Sequence, residues 1–440
     1  MSNFIHLLLK QNIGAKNTPV VKVGDEVKRG QLVADFEGLG AYLHASVDGK
    51  VTEITEDEIV IEANEVQSED YVKIEKGATI AETVKNAGIV GLGGAGFPTH
   101  VKLGTDLGGT GYVLCNAAEC EPILSHNMEQ LLAEPEKLLR GMKICMEACN
   151  AAHGVFALKE VHEKEILAMQ KVVEADGDKR ITVKAMPDLY PMGEERAVVR
   201  ECLGIVLETD KLPSAANAVV INSETMCAIA DAVDELKPLI EKNLTVAGYL
   251  NTANQIEVFR NVPIGTRVGD LIDRAGGLFK YDNYGEIIMG GPFTGKSTSL
   301  DAPIVKATGG ILVTKPYPKD TRKMGILVCA CGGNEDRLRE IAGYMGAEVV
   351  GVQKCKQAIE GKGGVLKCEN PGHCPGQAEK MLNLKKAGAQ TVIISNCTDC
   401  TNTVMGVAPK MNIPVYHETD NILETMHIEK IRFLKDGQKK

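Results

Sequence analysis

The chain has 440 residues, too many for a single core, and its 44% hydrophobic and 25% charged residues are ordinary for a globular protein in water. A formal charge of −10 and the lack of a basic stripe exclude nucleic acid as a partner. No apolar run reaches the length of a membrane span, and MSNFIHLLLK (1–10) lacks the basic start and small-residue cleavage site of a secretion signal, so the expected location is cytoplasmic, with any membrane association peripheral. Thirteen cysteines in a long intracellular chain point to redox or metal chemistry rather than to a disulfide scaffold. Cys145, Cys149, Cys202 and Cys227 read as small core hydrophobes, whereas seven others crowd between Cys329 and Cys400.

The predicted elements describe a multidomain chain of β and α/β units. Residues 1–68 are all-β: VVKVGDEVKRGQLVADFEG (20–38) and ASVDGKVTEI (45–54) alternate apolar and polar residues and turn at Gly24-Asp25, Arg29-Gly30 and Asp48-Gly49. The pattern resembles a lipoyl/biotinyl-type barrel sandwich. Glu37-Gly38-Leu39-Gly40, between its halves, offers no lysine to carry a cofactor, so a structural or docking role is expected. Residues 69–242 alternate helix and strand patterns, with helices over 80–87, 129–149 and 163–173, a short apolar strand within 112–122, and strands over 155–158, 182–185 and 218–221. Residues 243–300 suggest a small β-grasp (SLBB-type) domain with one helix over 267–275, and 301–323 a linker. GGPFTGKS (290–297) spells the Walker A string, but TSLDAPIV follows without helical period, so a tight turn is expected there instead of a nucleotide site. Residues 324–440 alternate strand runs (GILVC, AEVVGV, TVIIS, IPVY) with helical stretches at 335–345 and 377–387, the pattern of a small parallel sheet.

Function is most legible in GLGGAGFPTHVK (91–102). Dense glycine lets backbone N–H groups approach a ligand, anionic phosphate above all. A dinucleotide fingerprint would need a strand before the glycines and a helix after them; here a helix pattern precedes and Pro98 follows. YVLCNAAECEP (112–122), YPMGEER (190–196) and VVINSET (219–225) complete a set whose order resembles the flavin- and NADH-binding module shared by the NADH-oxidising subunit of respiratory complex I and the C subunit of the Rnf complex. The resemblance covers residues 1–310 and extends to the barrel sandwich that opens the Rnf C subunit.

That resemblance implies FMN as cofactor and NADH as substrate. Gly91, Gly93, Gly94, Ala95 and Gly96 would cradle the flavin phosphate, with Lys102 supplying positive charge. Asn116 and Glu119 would hydrogen-bond the flavin; Tyr190, Gly193, Glu194 and Glu195 would line the flavin and nicotinamide pocket; Asn222 and Thr225 would close it. Phe97 is the candidate aromatic contact for NADH. The NADH-oxidising subunit of complex I has an arginine in its glycine loop, and this chain has none between Gly91 and Gly96.

The C-terminal part departs from the Rnf pattern. In place of two C-x-x-C-x-x-C-x-x-x-C-P runs stand Cys329, Cys331, Cys355, Cys368, Cys374, Cys397 and Cys400. Cys329, Cys331, Cys355 and Cys397 fall at strand ends, which share one rim in a parallel sheet, and a short helix is expected after Cys400. Three readings stand open: a dithiol relay with Cys397 and Cys400 as the reactive pair and Cys329 and Cys331 as its partner; an iron–sulfur site drawn from Cys329, Cys331, Cys355, Cys397 and Cys400; and zinc, to which Cys368, His373 and Cys374 could add ligands. Within the family the arrangement most resembles members associated with proline reductase in amino-acid-fermenting anaerobes. This implies electron transfer from NADH through FMN and the cysteines to proline reductase or another redox protein. A non-catalytic docking adaptor with a vestigial flavin site is the alternative.

Overall fold

A computed structural model describes residues 3–280, 283–361 and 364–432. The first strands are β1 (Phe4–Leu8), β2 (Thr18–Pro19), β3 (Glu26–Val27), β4 (Leu32–Asp35), β5 (Leu43–His44), β6 (Gly49–Ile54) and β7 (Glu58–Ala63). They form two sheets, β1-β7-β6-β3 and β2-β4-β5. Alternation sets which face is buried: Ile5 and Leu7 of β1 oppose Ile61 and Ile59 of β7, all four inside. The lysine-free segment 37–40 joins β4 to β5.

The second unit is introduced by α1 (Ile80–Asn86) and α2 (Thr99–Leu103). Its sheet comprises β8 (Tyr112–Ala117), β9 (His153–Lys159), β10 (Ile181–Met186) and β11 (Ala218–Asn222), in the order β10-β9-β8-β11 and parallel throughout. The connecting helices are α3 (His126–Ala133), α4 (Pro135–Ala148), α5 (Glu163–Asp176) and α6 (Glu195–Leu203), and α7 (Ser223–Ala230) follows β11. The single helix expected over 129–149 is thus two, because Pro135 has no N–H to continue the first and is tolerated at the start of the second. Helices cover both sheet faces, α4 and α7 in one core cluster and α6 in another.

The third sheet contains β12 (Glu241–Gly248), β13 (Ile256–Pro263), β14 (Ile287–Met289), β15 (Lys296–Thr298) and β16 (Gly310–Val313), ordered β13-β12-β16-β14-β15, with α8 (Val268–Arg274) packed on it. The expected linker over 301–323 is therefore corrected: Gly310–Val313 is fully buried and lies mid-sheet, parallel to β12 and antiparallel to β14.

The last unit has β17 (Lys323–Val328), α9 (Glu335–Met345), β18 (Glu348–Lys354), a hairpin of β19 (Ala358–Glu360) and β20 (Leu366–Cys368), α10 (Ala378–Lys386), β21 (Thr391–Ile394), α11 (Thr398–Val407), β22 (Val415–His417) and α12 (Asp420–Thr425). Its main sheet runs β18-β17-β21-β22, all parallel as the alternation requires. Residues 433–440 of this segment lie outside the described residues. Among the described residues no helix is long and apolar enough to cross a membrane.

Buried contacts join the units. Lys306 donates its ammonium protons to the carbonyls of Tyr42 in the barrel (2.5 Å) and Gly88 after α1 (2.8 Å). Burial lowers its pKa to about 7.

Candidate functional site: a glycine loop and a cysteine rim

The glycine loop is tied down at its edges and bare in its middle. Gly91 N–H donates to Phe97 O at 2.9 Å, and Val90 bridges Pro98, closing the loop on itself. Leu92 N–H donates to Thr225 Oγ1 (3.0 Å), and Gly96 O accepts from Ile13 N–H (3.2 Å) of the barrel. A Cβ at Gly93 would strike the Asn222 amide at 2.4 Å, whereas one at Gly94 would meet nothing within 4 Å. Ala95 is exposed and Phe97 half-buried. Tight packing beneath and open space above make a backbone cradle, which fits an anionic group reaching the chain from solvent.

The expected polar residues gather at the C-terminal ends of β8 and β11, where Asn116 and Asn222 face each other in register. Asn222 caps α7 by accepting from Glu224 N–H (3.0 Å) and Thr225 N–H (3.3 Å). Asn116 Nδ2 donates to Gly193 O at 2.8 Å. Glu194 caps α6, accepting from Arg196 N–H (2.9 Å) and Ala197 N–H (3.1 Å), and also takes the Arg196 guanidinium. Glu195 pairs with Lys102, whose ammonium also donates to Val220 O at 3.0 Å. Glu119 accepts from Asn127 Nδ2 (3.2 Å), and burial raises its pKa. Glu194 and Glu195, expected to line the flavin and nicotinamide pocket, also serve as a helix cap and an ion-pair partner, while Asn116 holds Gly193 and Asn222 packs beneath Gly93.

Tyr190, expected to line the flavin pocket, also faces the cysteine-bearing unit. Its ring stacks on Phe293 with centroids 3.6 Å apart and planes 6° from parallel. Its hydroxyl donates to Cys331 O, and its N–H donates to Thr398 Oγ1 at 3.1 Å. Arg196 Nη2 donates to Cys368 O (2.7 Å), and Arg200 Nη1 to Asn370 Oδ1 (2.9 Å) and Pro371 O (2.8 Å). The YPMGEER segment is therefore the seat of the cysteine-bearing unit.

Phe293 is held by a carboxylate. Glu121 accepts from Phe293 N–H (2.7 Å), Thr294 N–H (3.0 Å) and the Thr294 hydroxyl (2.6 Å), and Gly291 leaves room for its side chain. The Walker-like loop thus binds a carboxylate of its own chain, and an extended strand, β15, follows it. Burial pushes the Glu121 pKa up to about 7 against these hydrogen bonds.

At the C-terminal edge of the last sheet the distant cysteines converge. Cys329 faces Cys331, Cys355, Cys397 and Cys400; Cys331 also faces Cys368 and Cys397; Cys400 also faces Cys355 and Cys374. All are free thiols. Cys397 stands at the N-cap of α11 and Cys400 in its first turn, so the expected helix begins before Cys400 and not after it. The thiols of Cys329, Cys331 and Cys400 hold Cys397 well below the ordinary thiol range, and the Cys400 N–H adds to this. Cys331 and Cys400 are raised as the corresponding donors. Cys374 is lowered to about 7, chiefly by Cys400, against the opposing effect of burial. His417 is lowered to about 4 by burial, and its Nε2 sits 2.8 Å from Asn396 O.

Asn396, next to Cys397, is fully buried with neither side-chain polar atom partnered. An orphaned amide beside thiols suits a group that adds acceptors, as cluster sulfides would. Among the described residues no three His, Cys, Asp or Glu side chains are arranged to hold a single metal ion; the thiols pack on one another instead. Of the residues suggested for zinc, Cys368 joins the rim through Cys331 and Cys374 through Cys400, while His373 N–H donates only to Asn370 O in its own turn.

Sequence reasoning missed Phe293 and gave Cys120 and Glu121 of the ECEP segment no role. Cys120 accepts from Gly193 N–H at 2.8 Å and packs with Tyr190, Phe293 and the rim cysteines. The Cys120 thiol is pushed up to about 12 by burial. ECEP gave a signal in its two charged residues around a cysteine; nothing local to Phe293 marked it. By contrast Cys115, Cys145, Cys149 and Cys227 are core residues, and Cys202 packs partly buried against the core.

Comparison with known proteins agrees with this division. Residues 1–82 match the RnfC barrel sandwich hybrid domain, and residues 84–231 the Nuo51 FMN-binding domain, so the chain carries an FMN-binding domain. It is 35% identical over 348 residues to the C subunit of a proton-translocating ferredoxin:NAD(+) oxidoreductase complex of Clostridium ljungdahlii, covering 74% of each chain. It is 33% identical to the C subunit of the Na(+)-translocating counterpart in Acetobacterium woodii, covering 72% of this chain and 75% of that one. A cobalamin reductase, PduS of Citrobacter freundii, is 39% identical over 236 residues, about half of each chain (53% and 49%). The chain belongs to the family of Rnf complex C subunits.

Proposed function

We propose that this chain is an electron-transfer oxidoreductase that receives electrons from NADH at the 91–96 cradle and passes them through the cysteines of its last domain to a partner reductase. Proline reductase is the acceptor suggested by overall resemblance, and the site of action is the cytoplasm, at a membrane only through a partner. One observation carries the reading: Tyr190 of the family's YPMGEER segment touches Cys331 and stacks on Phe293, so the flavin module and the cysteine rim meet in one buried cluster. Bound FMN would supply the junction chemistry, accepting hydride and releasing electrons singly. Backbone N–H groups of Gly93, Gly94 and Ala95 would receive its phosphate, and Lys102 would offset the charge while Glu195 keeps its ammonium in place. Asn116 and Gly193 would fix the ring edge. Cys329, Cys331, Cys397 and Cys400 would carry the electrons onward, as a dithiol relay or as ligands of an iron–sulfur cluster. The third sheet, read as a β-grasp domain, would brace this junction through Phe293.

The test is an anaerobic absorbance spectrum of the purified chain before and after NADH, with flavin and iron assayed on the same sample. Flavin bands that bleach are expected; iron content chooses between cluster and dithiol. A chain that binds no flavin after reconstitution, and reduces neither dye nor disulfide with NADH, would contradict the proposal and favour a docking adaptor.

A further inference from the structure

The rim has two sides. Cys331 is on the side of the flavin module, under the Tyr190 hydroxyl. Thiol-to-thiol contacts then lead from Cys331 to Cys329 and Cys397, from these to Cys400, and from Cys400 to Cys374. Cys329, Cys397 and Cys400 are buried, and the path resurfaces only at half-buried Cys374. Beside it lies a cavity of about 330 Å³ lined by its chain neighbours Pro375 and Gly376, by Thr403, which touches its sulfur, and by Lys356, Gln377 and Val407 among others, a volume within the range of small-ligand pockets.

We infer that Cys374 is the thiol through which electrons leave the chain, that Cys400 is its resolving partner, and that this cavity receives the disulfide bond of the acceptor. The inference rests on the proposed function for where the electrons come from, and on its dithiol form at the rim. Its geometry is independent. Cys374 Sγ accepts from Gly376 N–H (3.2 Å) and lies 3.0 Å from Thr403 Oγ1. The Gln377 amide nitrogen donates to Cys355 Sγ at 3.0 Å and lies 3.6 Å from both Cys374 Sγ and Cys400 Sγ, so one donor reaches the pair as well. Gln377, which lines the cavity, is 1% exposed, and its Oε1 has no partner among the described residues. Lys356 is tied to Glu379 at 2.7 Å, so the wall presents a neutralised pair, suited to an uncharged S–S bond rather than to an anion.

The chemistry balances as thiol–disulfide exchange. Cys374, as thiolate, attacks one sulfur of the acceptor R–S–S–R′; that S–S bond breaks, R′–S⁻ leaves, and a mixed disulfide forms on Cys374. Cys400 then attacks Cys374 Sγ and expels R–S⁻. The protons of the two chain thiols go to the two leaving thiolates. The acceptor gains two electrons, and the chain is left with a Cys374–Cys400 disulfide, whose return to dithiol takes two electrons and two protons from the flavin site.

The experiment uses the full chain, reduced with a phosphine, desalted and exposed to glutathione disulfide, with glutathionylated peptides identified by mass spectrometry. Cys400→Ser should accumulate glutathione on Cys374; the unsubstituted chain should instead show the Cys374–Cys400 disulfide; Cys374→Ser should show neither. If the variants fail to fold, alkylation of the unsubstituted chain still decides: Cys374 should react about tenfold faster than Cys331 or Cys202, the half-buried comparison thiols. Glutathione or alkylation appearing first at Cys331, or iron that is lost in both variants, would overturn the inference. Because trapping needs neither flavin nor NADH, a chain without flavin can still pass it. Flavin that bleaches with NADH while Cys374 stays inert would remove only the exit and leave the proposed function standing.

Discussion

The loop at 91–96 and the loop at 290–295 both present backbone N–H groups through glycine, and both resemble nucleotide-binding strings. They differ in what meets those N–H groups. In the second loop the Glu121 carboxylate takes the amides of Phe293 and Thr294 and the Thr294 hydroxyl, and Gly291 leaves the space that admits it. In the first, Asn222 fills the space at Gly93 while Gly94 stands open. A glycine string therefore specifies only that something approaches the backbone closely; whether that is a ligand or another part of the chain depends on residues far away in sequence.

Breaking the closed loop should have the largest effect on stability. Glu121→Ala leaves two amides and a hydroxyl unsatisfied and frees Phe293 from Tyr190, at an expected cost of about 3 kcal/mol in denaturant unfolding. A loss below about 1 kcal/mol would mean that the carboxylate is not what holds the loop. The same residue should leave a mark on the pH dependence. Its folded pKa, about 7, lies above the ordinary carboxylate value. Its contribution is therefore fully present below the unfolded pKa, declines as pH rises toward 7, and is level above that. Relative to Glu121→Gln, the unsubstituted chain should lose stability between about pH 4.5 and 7. Parallel curves would contradict this.

Tyr190→Phe keeps the stack on Phe293 and removes only the hydroxyl bond to Cys331 O, for about 1 kcal/mol; a double substitution with Phe293→Leu should be non-additive, because the two rings touch. The smallest stability effect belongs to the open loop. Gly94→Ala should shift unfolding by no more than about 0.5 kcal/mol, since its Cβ enters free space. Gly93→Ala should cost more, because its Cβ would run into Asn222.

The sequence was informative wherever the signal was local and periodic. The strands over 155–158, 182–185 and 218–221 and the helix over 335–345 are where alternation and helical spacing placed them. The rim of cysteines followed from topology, since parallel strands bring their C-terminal ends to one edge. Long-range contacts were not legible. The Tyr190–Phe293 stack joins residues more than a hundred positions apart in different units, and no local pattern encodes it. The strand Gly310–Val313 was read as linker because four residues between glycines and prolines carry too short a pattern to register. Glu194 and Asn222 were noticed for ligand chemistry, yet their geometry is that of helix N-caps, which favour the same residue types as ligand sites do.

The most direct test of the division between the two loops is a flavin titration of three proteins: the unsubstituted chain, Gly94→Val and Lys296→Ala. If the 91–96 loop is the cradle, Gly94→Val should weaken FMN binding by about tenfold or more with little change in thermal stability, and Lys296→Ala, in the closed loop, should bind FMN as the unsubstituted chain does. Binding that survives Gly94→Val and fails in Lys296→Ala would contradict the account.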